Sequence, residues 1–382
     1  ASPSLSPRFP RARAACISAA TPSHRGMPKR GSAKAAKEVE DAPSKSGGAA
    51  AGEGRTGYMF GTVRERAAMQ NKDHKIWNYG VLFTFAALIS APFFVPEYRA
   101  RLTDGMREIE SAKFLYGWFS LLDFAGSAMV CFSYRTATER SIAEGDAAAC
   151  RKNSSPLAVY AYGIFICLFS QFGGTTSTAV LLGQNPSWAA GNHVTNAFLL
   201  AWWLTFCSPG DVWFEAMKLR AVRLPLQAVA CISAAHAVTS WGLEKALSAE
   251  HTRMRGSAWG ALACGYLSGC FGWPLVAFFE TGGERLTRLG PSWAMQRTFY
   301  AVLAYYALTN PHGTLTPIKE AVGLGDVDKV LVQAALAASF LTLQVGIDIA
   351  GVDPLKALNT GLAAVARVVA PINMQLARPK QD

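Results

Sequence analysis

Beyond Ile76 the chain is a series of apolar runs divided by short charged loops. Uncharged runs of roughly 18 residues or more are long enough to cross a bilayer. The pattern predicts eight spans. The first is Ile76–Val95, without a charged residue, and the second is Phe114–Tyr134, with one acid, Asp123, near its middle. The third is Leu157–Leu182. The fourth starts near Val194, contains NAFLLAWWLTFC, and is followed by Pro209 and Asp211. The fifth is Leu224–Leu243, with His236 its ionisable group, and the sixth is Ala258–Phe279, closed by Glu280. The seventh is the short Gln296–Leu308 and the eighth is Val330–Ile347. The stretch Leu355–Ala377 is amphipathic and is expected to lie on the membrane surface.

Composition agrees with the pattern. Of 382 residues, 51% are hydrophobic and 16% charged, where a soluble domain carries about a quarter charged. The net charge is +11, and 14 of the 37 basic residues precede Trp77, whereas no acid precedes Glu38. Residues 1–75 read as a disordered basic tail. The tail lacks the aromatic interleaving of a nucleic-acid module, so no nucleic-acid partner is expected. Residues 1–37 resemble a transit peptide in composition but hold five prolines, and Met27 is an alternative start. With eight spans, the basic residues of tails and loops divide 28 to 9 in favour of the side bearing both termini. That predicts cytosolic termini. The eight cysteines form no CxxC pair and mostly lie in apolar runs, so they read as small buried hydrophobes. No metal site, cofactor or disulfide framework is expected.

Two spans carry helix-loosening motifs. The third contains SQFGGTTST, with Gly173 and Gly174 followed by Thr175, Thr176 and Ser177. The sixth contains SGCFGWP, where Ser268, Gly269 and Gly272 precede Pro274. Both are expected to be kinked. They stand three spans apart, so spans two to four and five to seven would be inverted units of three helices. Paired interruptions of this kind mark transport sites, and freed carbonyls and hydroxyls can replace part of a cation's hydration shell. Packing of small residues is the alternative reading. Asp123 is a group for attracting cations at the pore, or a carboxylate bonded to a neighbouring helix. His236 faces the pore or packs in the core. Asp211 and Glu280 are interfacial acids.

Taken in order, these motifs resemble the trimeric intracellular cation channels, the TRIC family, over roughly Phe114 to Gln344. FLYGWFSLLDFAGSAMV, containing Asp123, is similar to the family's first helix. Ser155–Gly174 is similar to the second with its FGG signature, and LLGQNP to the segment leaving it. Asn196–Asp211, Leu224–Gln227 and Gly265–Glu280 resemble the third helix, the entry to the fourth, and the fifth. Three departures stand out. The stretch Cys231–Trp241 lacks the Lys and Arg through which animal members contact a phosphoinositide, which argues against that ligand here. Gly272 is followed by Trp273 instead of a second glycine. Gly126-Ser127 replace a His-Tyr pair.

The resemblance implies an all-α polytopic membrane protein: an inverted three-plus-three helix repeat with a seventh helix, here over 114–350, preceded by one extra N-terminal span and followed by a tail over 351–382. It implies a homotrimer with a pore in each subunit and a monovalent cation channel, mainly for potassium. The membrane would be the endoplasmic reticulum, where the flux balances charge during calcium release. If residues 1–37 are a transit peptide, an organelle membrane takes its place. A secondary transporter and a non-conducting scaffold remain the alternatives. An intramembrane enzyme is disfavoured, because Asp123 has no mid-span carboxylate partner and HExxH is absent.

Overall fold

The computed structural model describes residues 95–143, 145, 155–249, 256–281, 292–310, 327–345, 355 and 359. The expected tail over 1–75 and nearly all of the expected first span lie outside them, as does most of the amphipathic stretch 355–377. The described elements are helices apart from one two-stranded hairpin.

The segment after the first expected span is a helix and not a loop. Helix α1, Pro96–Ser111, opens on a proline whose fixed φ suits the first helical position, with Glu97 in its first turn. It buries Thr103 and Met106 and packs on helices further along the chain. A hairpin follows, β1 (Lys113–Phe114) paired antiparallel to β2 (Phe119–Ser120). Its turn runs through Leu115, Tyr116 and Gly117, all with positive φ.

Helix α2, Leu121–Ala143, therefore begins seven residues later than the expected Phe114 and continues beyond Tyr134. The stacking of Phe114 on Phe119, at 5.2 Å, and its edge contact with Phe124 turn the first residues of the expected span into the hairpin. Asp123 is consequently in the first turn of α2 and not at mid-span. Its backbone N–H donates to Ser120 Oγ at 3.4 Å, as at a capped N-terminus.

Helix α3, Pro156–Leu181, corrects a second expectation. It runs through Gly173 and Gly174 without a break. A glycine pair lowers helix propensity but removes no donor, and the carbonyls here gain extra bonds. Ser177 Oγ donates to the Gly173 carbonyl at 2.8 Å and Thr175 Oγ1 to that of Phe172 at 3.0 Å. The other expected kink is present. Helix α4 (Ser187–Ala190), α5 (Asn192–Cys207), α6 (Val212–Lys218) and α7 (Arg220–Val238) lead into a π turn, Thr239–Glu244, and α8, Lys245–Ser248. Then α9 (Ala258–Cys270) and α10 (Gly272–Thr281) are bent by 67° at Phe271. Pro274 has no N–H for the Cys270 carbonyl four residues back, and its ring crowds that carbonyl. The chain closes with α11 (Trp293–Thr309) and α12 (Lys329–Val345).

Two cores form. Cys131, Cys167, Phe172, Phe198 and Trp202 join α2, α3 and α5. Cys231, Val238, Cys264, Tyr305 and Phe340 join α7, α9, α11 and α12. The two groups meet where α2 packs on α7 and where α3 packs on α9 and α10. Glycines permit the second contact reciprocally. A Cβ on Gly174 would meet the carbonyl oxygens of Leu267, at 2.5 Å, and Ser268; one on Gly272 would meet those of Phe169, at 2.8 Å, and Ser170.

By length and hydropathy, Tyr160–Leu181 and Arg220–Ser248 can each cross a membrane, and the bent pair α9–α10 passes the same measure when its two halves are taken together. The other expected spans fall short of that measure among the described residues. Helices α5, α11 and α12 have 16, 17 and 17 residues, or about 24–26 Å at 1.5 Å per residue. Helix α2 contains Arg135, Glu139 and Arg140.

Candidate functional site

Polar side chains collect at the seam between the two helix groups, and two cavities open along it. The larger, of about 340 Å³, reaches Arg140 near the end of α2, Arg223 at the start of α7, and Trp293 and Arg297 at the start of α11. The smaller, of about 290 Å³, reaches Ser120 at the start of α2, Leu182 after α3, His193 at the start of α5, and Lys245 after the π turn. The cavities thus lie towards opposite ends of α2. Asp123, Thr175, Ser187 and Trp241 line both, so they stand between the two.

The sequence-derived residues divide cleanly. Asp123, Gly174, Thr175, Ser268, Gly269 and Gly272 line the larger cavity. Gly173, Thr176 and Ser177 line neither. Gly173 lies against Gly272, whose Cα is 3.0 Å from where a Cβ would stand. Thr176 Oγ1 accepts from Trp188 Nε1 at 2.9 Å, and Ser177 caps the Gly173 carbonyl. The threonine run therefore faces several ways, with Thr175 towards the cavities and Thr178 bonded to the Cys264 carbonyl at 3.1 Å. Ser170 and Ser268 also line the larger cavity, and the buried hydroxyl of each has no hydrogen-bond partner.

Asp123 is buried, at 7% exposure, yet lines both cavities. A carboxylate in the first turn of a helix is favoured by the helix dipole. His236 lines neither cavity. Its ring is 2% exposed and packs 5.9 Å from the Trp241 ring, with Nδ1 3.7 Å from Glu110 Oε1. Asp211 serves as a joint outside the cavities. Arg135 donates to its two carboxylate oxygens at 3.0 and 2.9 Å, to the Thr205 carbonyl, and to Glu139 at 2.9 Å, while its guanidinium lies 4.0 Å over the Phe214 ring. Glu280 falls in α10, and its side chain lies outside the described residues.

Sequence reasoning missed Trp241, Gln171 and the arginines. Gln171 occupies the space beside Gly126: a Cβ there would stand 2.5 Å from its Nε2. The departure at Gly126 thus has a structural counterpart in a residue of α3. Arg223 and Arg297 are held over the rings of Phe132, at 5.9 Å, and Phe340, at 4.2 Å. With Arg140 they make three arginines against one acid, Asp123, on the larger cavity. Charge counts along the chain could not assign them to one wall, because they come from three helices. Among the described residues no cluster of His, Cys, Asp and Glu could hold a metal ion.

No family model matches the chain, and no curated protein matches it. Solved structures do. A trimeric intracellular cation channel from C. elegans, in the absence of Ca2+, aligns with 64% of this chain and 94% of its own at 18% identity and a TM-score of 0.43. The same kind of channel from C. elegans with bound Ca2+ aligns with 66% of this chain and 98% of its own at 17% identity and a TM-score of 0.45.

Proposed function

We propose that the chain is a multi-pass membrane protein that conducts monovalent cations, with potassium the main ion, through the seam between two inverted three-helix units. The observation that carries this reading is the approach of two cavities from opposite ends of α2 to one carboxylate, Asp123, and two hydroxyl-bearing residues, Thr175 and Ser187. A buried acid beside hydroxyl-bearing residues offers the kind of groups a dehydrating cation needs. The reciprocal contact of Gly174 and Gly272 with the opposite helix's carbonyls supports the paired units. The sequence resemblance to the TRIC family supplies the rest of the reading. That comprises a homotrimer, a place in the endoplasmic reticulum with cytosolic termini, and counter-ion flux during calcium release. Phosphoinositide binding at the family's site has no support in the residues of α7. A carrier would show slow, saturating flux and a scaffold none, so flux from liposomes separates these classes.

A second reading has its own observation. Three arginines line the larger cavity, and a positive wall favours anions. Reversal potentials under a potassium chloride gradient decide between the two. A potential on the potassium side is expected for the wild type, and Asp123→Asn is expected to move it towards zero. An anion-selective wild type would overturn the cation reading. A selective Asp123→Asn variant would remove only the role of that carboxylate.

A further inference from the structure

The buried imidazole of His236 is unexplained by packing. Its ring is 2% exposed, and neither Nδ1 nor Nε2 has a hydrogen-bond partner. Folded proteins leave few such groups, and each calls for a reason. Three features of its surroundings supply one. Glu110, near the end of α1, places Oε1 3.7 Å from Nδ1, and its own side chain is 48% exposed and lines the smaller cavity. Protons in that cavity thus have a carboxylate beside the ring. On the other side the ring packs on Trp241, with the planes at 30°. Trp241 is one of the four residues shared by the two cavities. In an α-helix residues five apart point about 140° away from each other; the π turn Thr239–Glu244, with its wider i to i+5 repeat, brings this pair together.

We propose that His236 and Glu110 form a proton-sensitive brake on the path: when His236 takes a proton, its charge stands behind Trp241 between the two cavities and lowers cation flux. The inference rests on the cation-channel reading. Burial opposes a charge on the ring, and two carboxylates, Glu110 and Glu244, favour one. Glu244 is already engaged by Lys329 at 3.3 Å and by the Tyr305 hydroxyl at 2.5 Å, which leaves Glu110 as the partner for an imidazolium. Of the helices against α7, α9 carries no charged residue, α6 carries Glu215 and Lys218, α11 carries Arg297, α12 carries Lys329, and α2 carries Arg135, Glu139 and Arg140 besides Asp123, which lines both cavities. Histidine is the side chain that ordinarily changes charge between pH 5 and 8.

The test is potassium efflux from liposomes holding the full chain, with equal pH on both sides. Wild-type flux is expected to fall about tenfold from pH 7.5 to 5.5, the effect of one unit charge roughly 10 Å away at an effective dielectric near 20. His236→Gln is expected to lose most of that fall. Glu110→Gln, at a half-exposed site, is expected to fold normally and to move the midpoint to lower pH, because a carboxylate favours the charged imidazole. Wild-type flux that ignores pH, a His236→Gln profile like the wild type's, or an unmoved midpoint in Glu110→Gln each overturns the brake alone. If His236→Gln does not fold, the Glu110→Gln midpoint decides. No flux at any pH overturns the channel reading and the brake with it.

Discussion

Single residues here are fixed by what lies within a few ångströms of them. At Gly174 the neighbours are backbone carbonyls of the opposite helix, which cannot rotate away as a side chain can. Gly174→Ala is therefore expected to destabilise the protein by about 1–3 kcal/mol, the usual range for overpacking. Gly105, on α1, has nothing within 4 Å of a built Cβ. Gly105→Ala is expected to stabilise by about 0.5–1 kcal/mol, because it removes the flexibility of glycine from a helix interior. Denaturation midpoints in detergent check both. Equal shifts of the same sign would contradict the close approach of α3 to α9. The sequence marked Gly174 as important, but for a kink. The tertiary contact assigns it a crossing point.

Elements are held in register by a small number of polar joints. The Arg135 side chain is 13% exposed and grips Asp211 with two parallel hydrogen bonds, tying α2 to the turn between α5 and α6. Asp211 sits at φ 58, a backbone region that Asn also tolerates. Asp211→Asn thus removes charge and one acceptor while keeping the backbone. It is expected to cost about 1.5–3 kcal/mol, the worth of a hydrogen bond to a charged group. Thermal unfolding of the variant beside Arg135→Lys checks this: both are expected to unfold earlier, since lysine cannot reproduce the fork. An unchanged melting curve for both would show the joint to be dispensable. Asp211 was legible as an acid near a helix end. Its partner, 76 positions earlier, was not.

Across the whole molecule, α1 ties the segment before the hairpin to the helix bundle. It buries Met106 in the second core, with Val332, Ala334 and Phe340 of α12, and sets Glu110 beside His236. Deleting residues 1–111 is expected to lower stability relative to deleting 1–95, and to abolish the pH response. Unfolding and flux of the two truncated chains, with orientation in the vesicle checked by protease access, test this. Equal behaviour of the two would mean that α1 contributes nothing to the bundle. The sequence resemblance begins at Phe114, so it gave no reason to divide the chain at 95 instead of 110.

Hydrophobic periodicity alone placed the helices of the described core, because runs as long as Leu157–Leu182 can satisfy their backbone only as helices in an apolar solvent. The 67° bend was equally legible, since Pro274 lacks a donor wherever the helix lies. Other features depended on contacts between residues far apart in the chain. The hairpin at 113–120 arises from one phenylalanine stacking on another across a left-handed turn, which shifts Asp123 from mid-span to a helix end. Continuity through Gly173 and Gly174 goes with hydroxyls that bond their neighbours' carbonyls and with a partner helix close enough to need them bare. The seam itself, with three arginines, one carboxylate and a tryptophan over two cavities, has no signature along the chain. Its parts come from α2, α3, α7, the π turn and α11, and packing alone brings them to one wall.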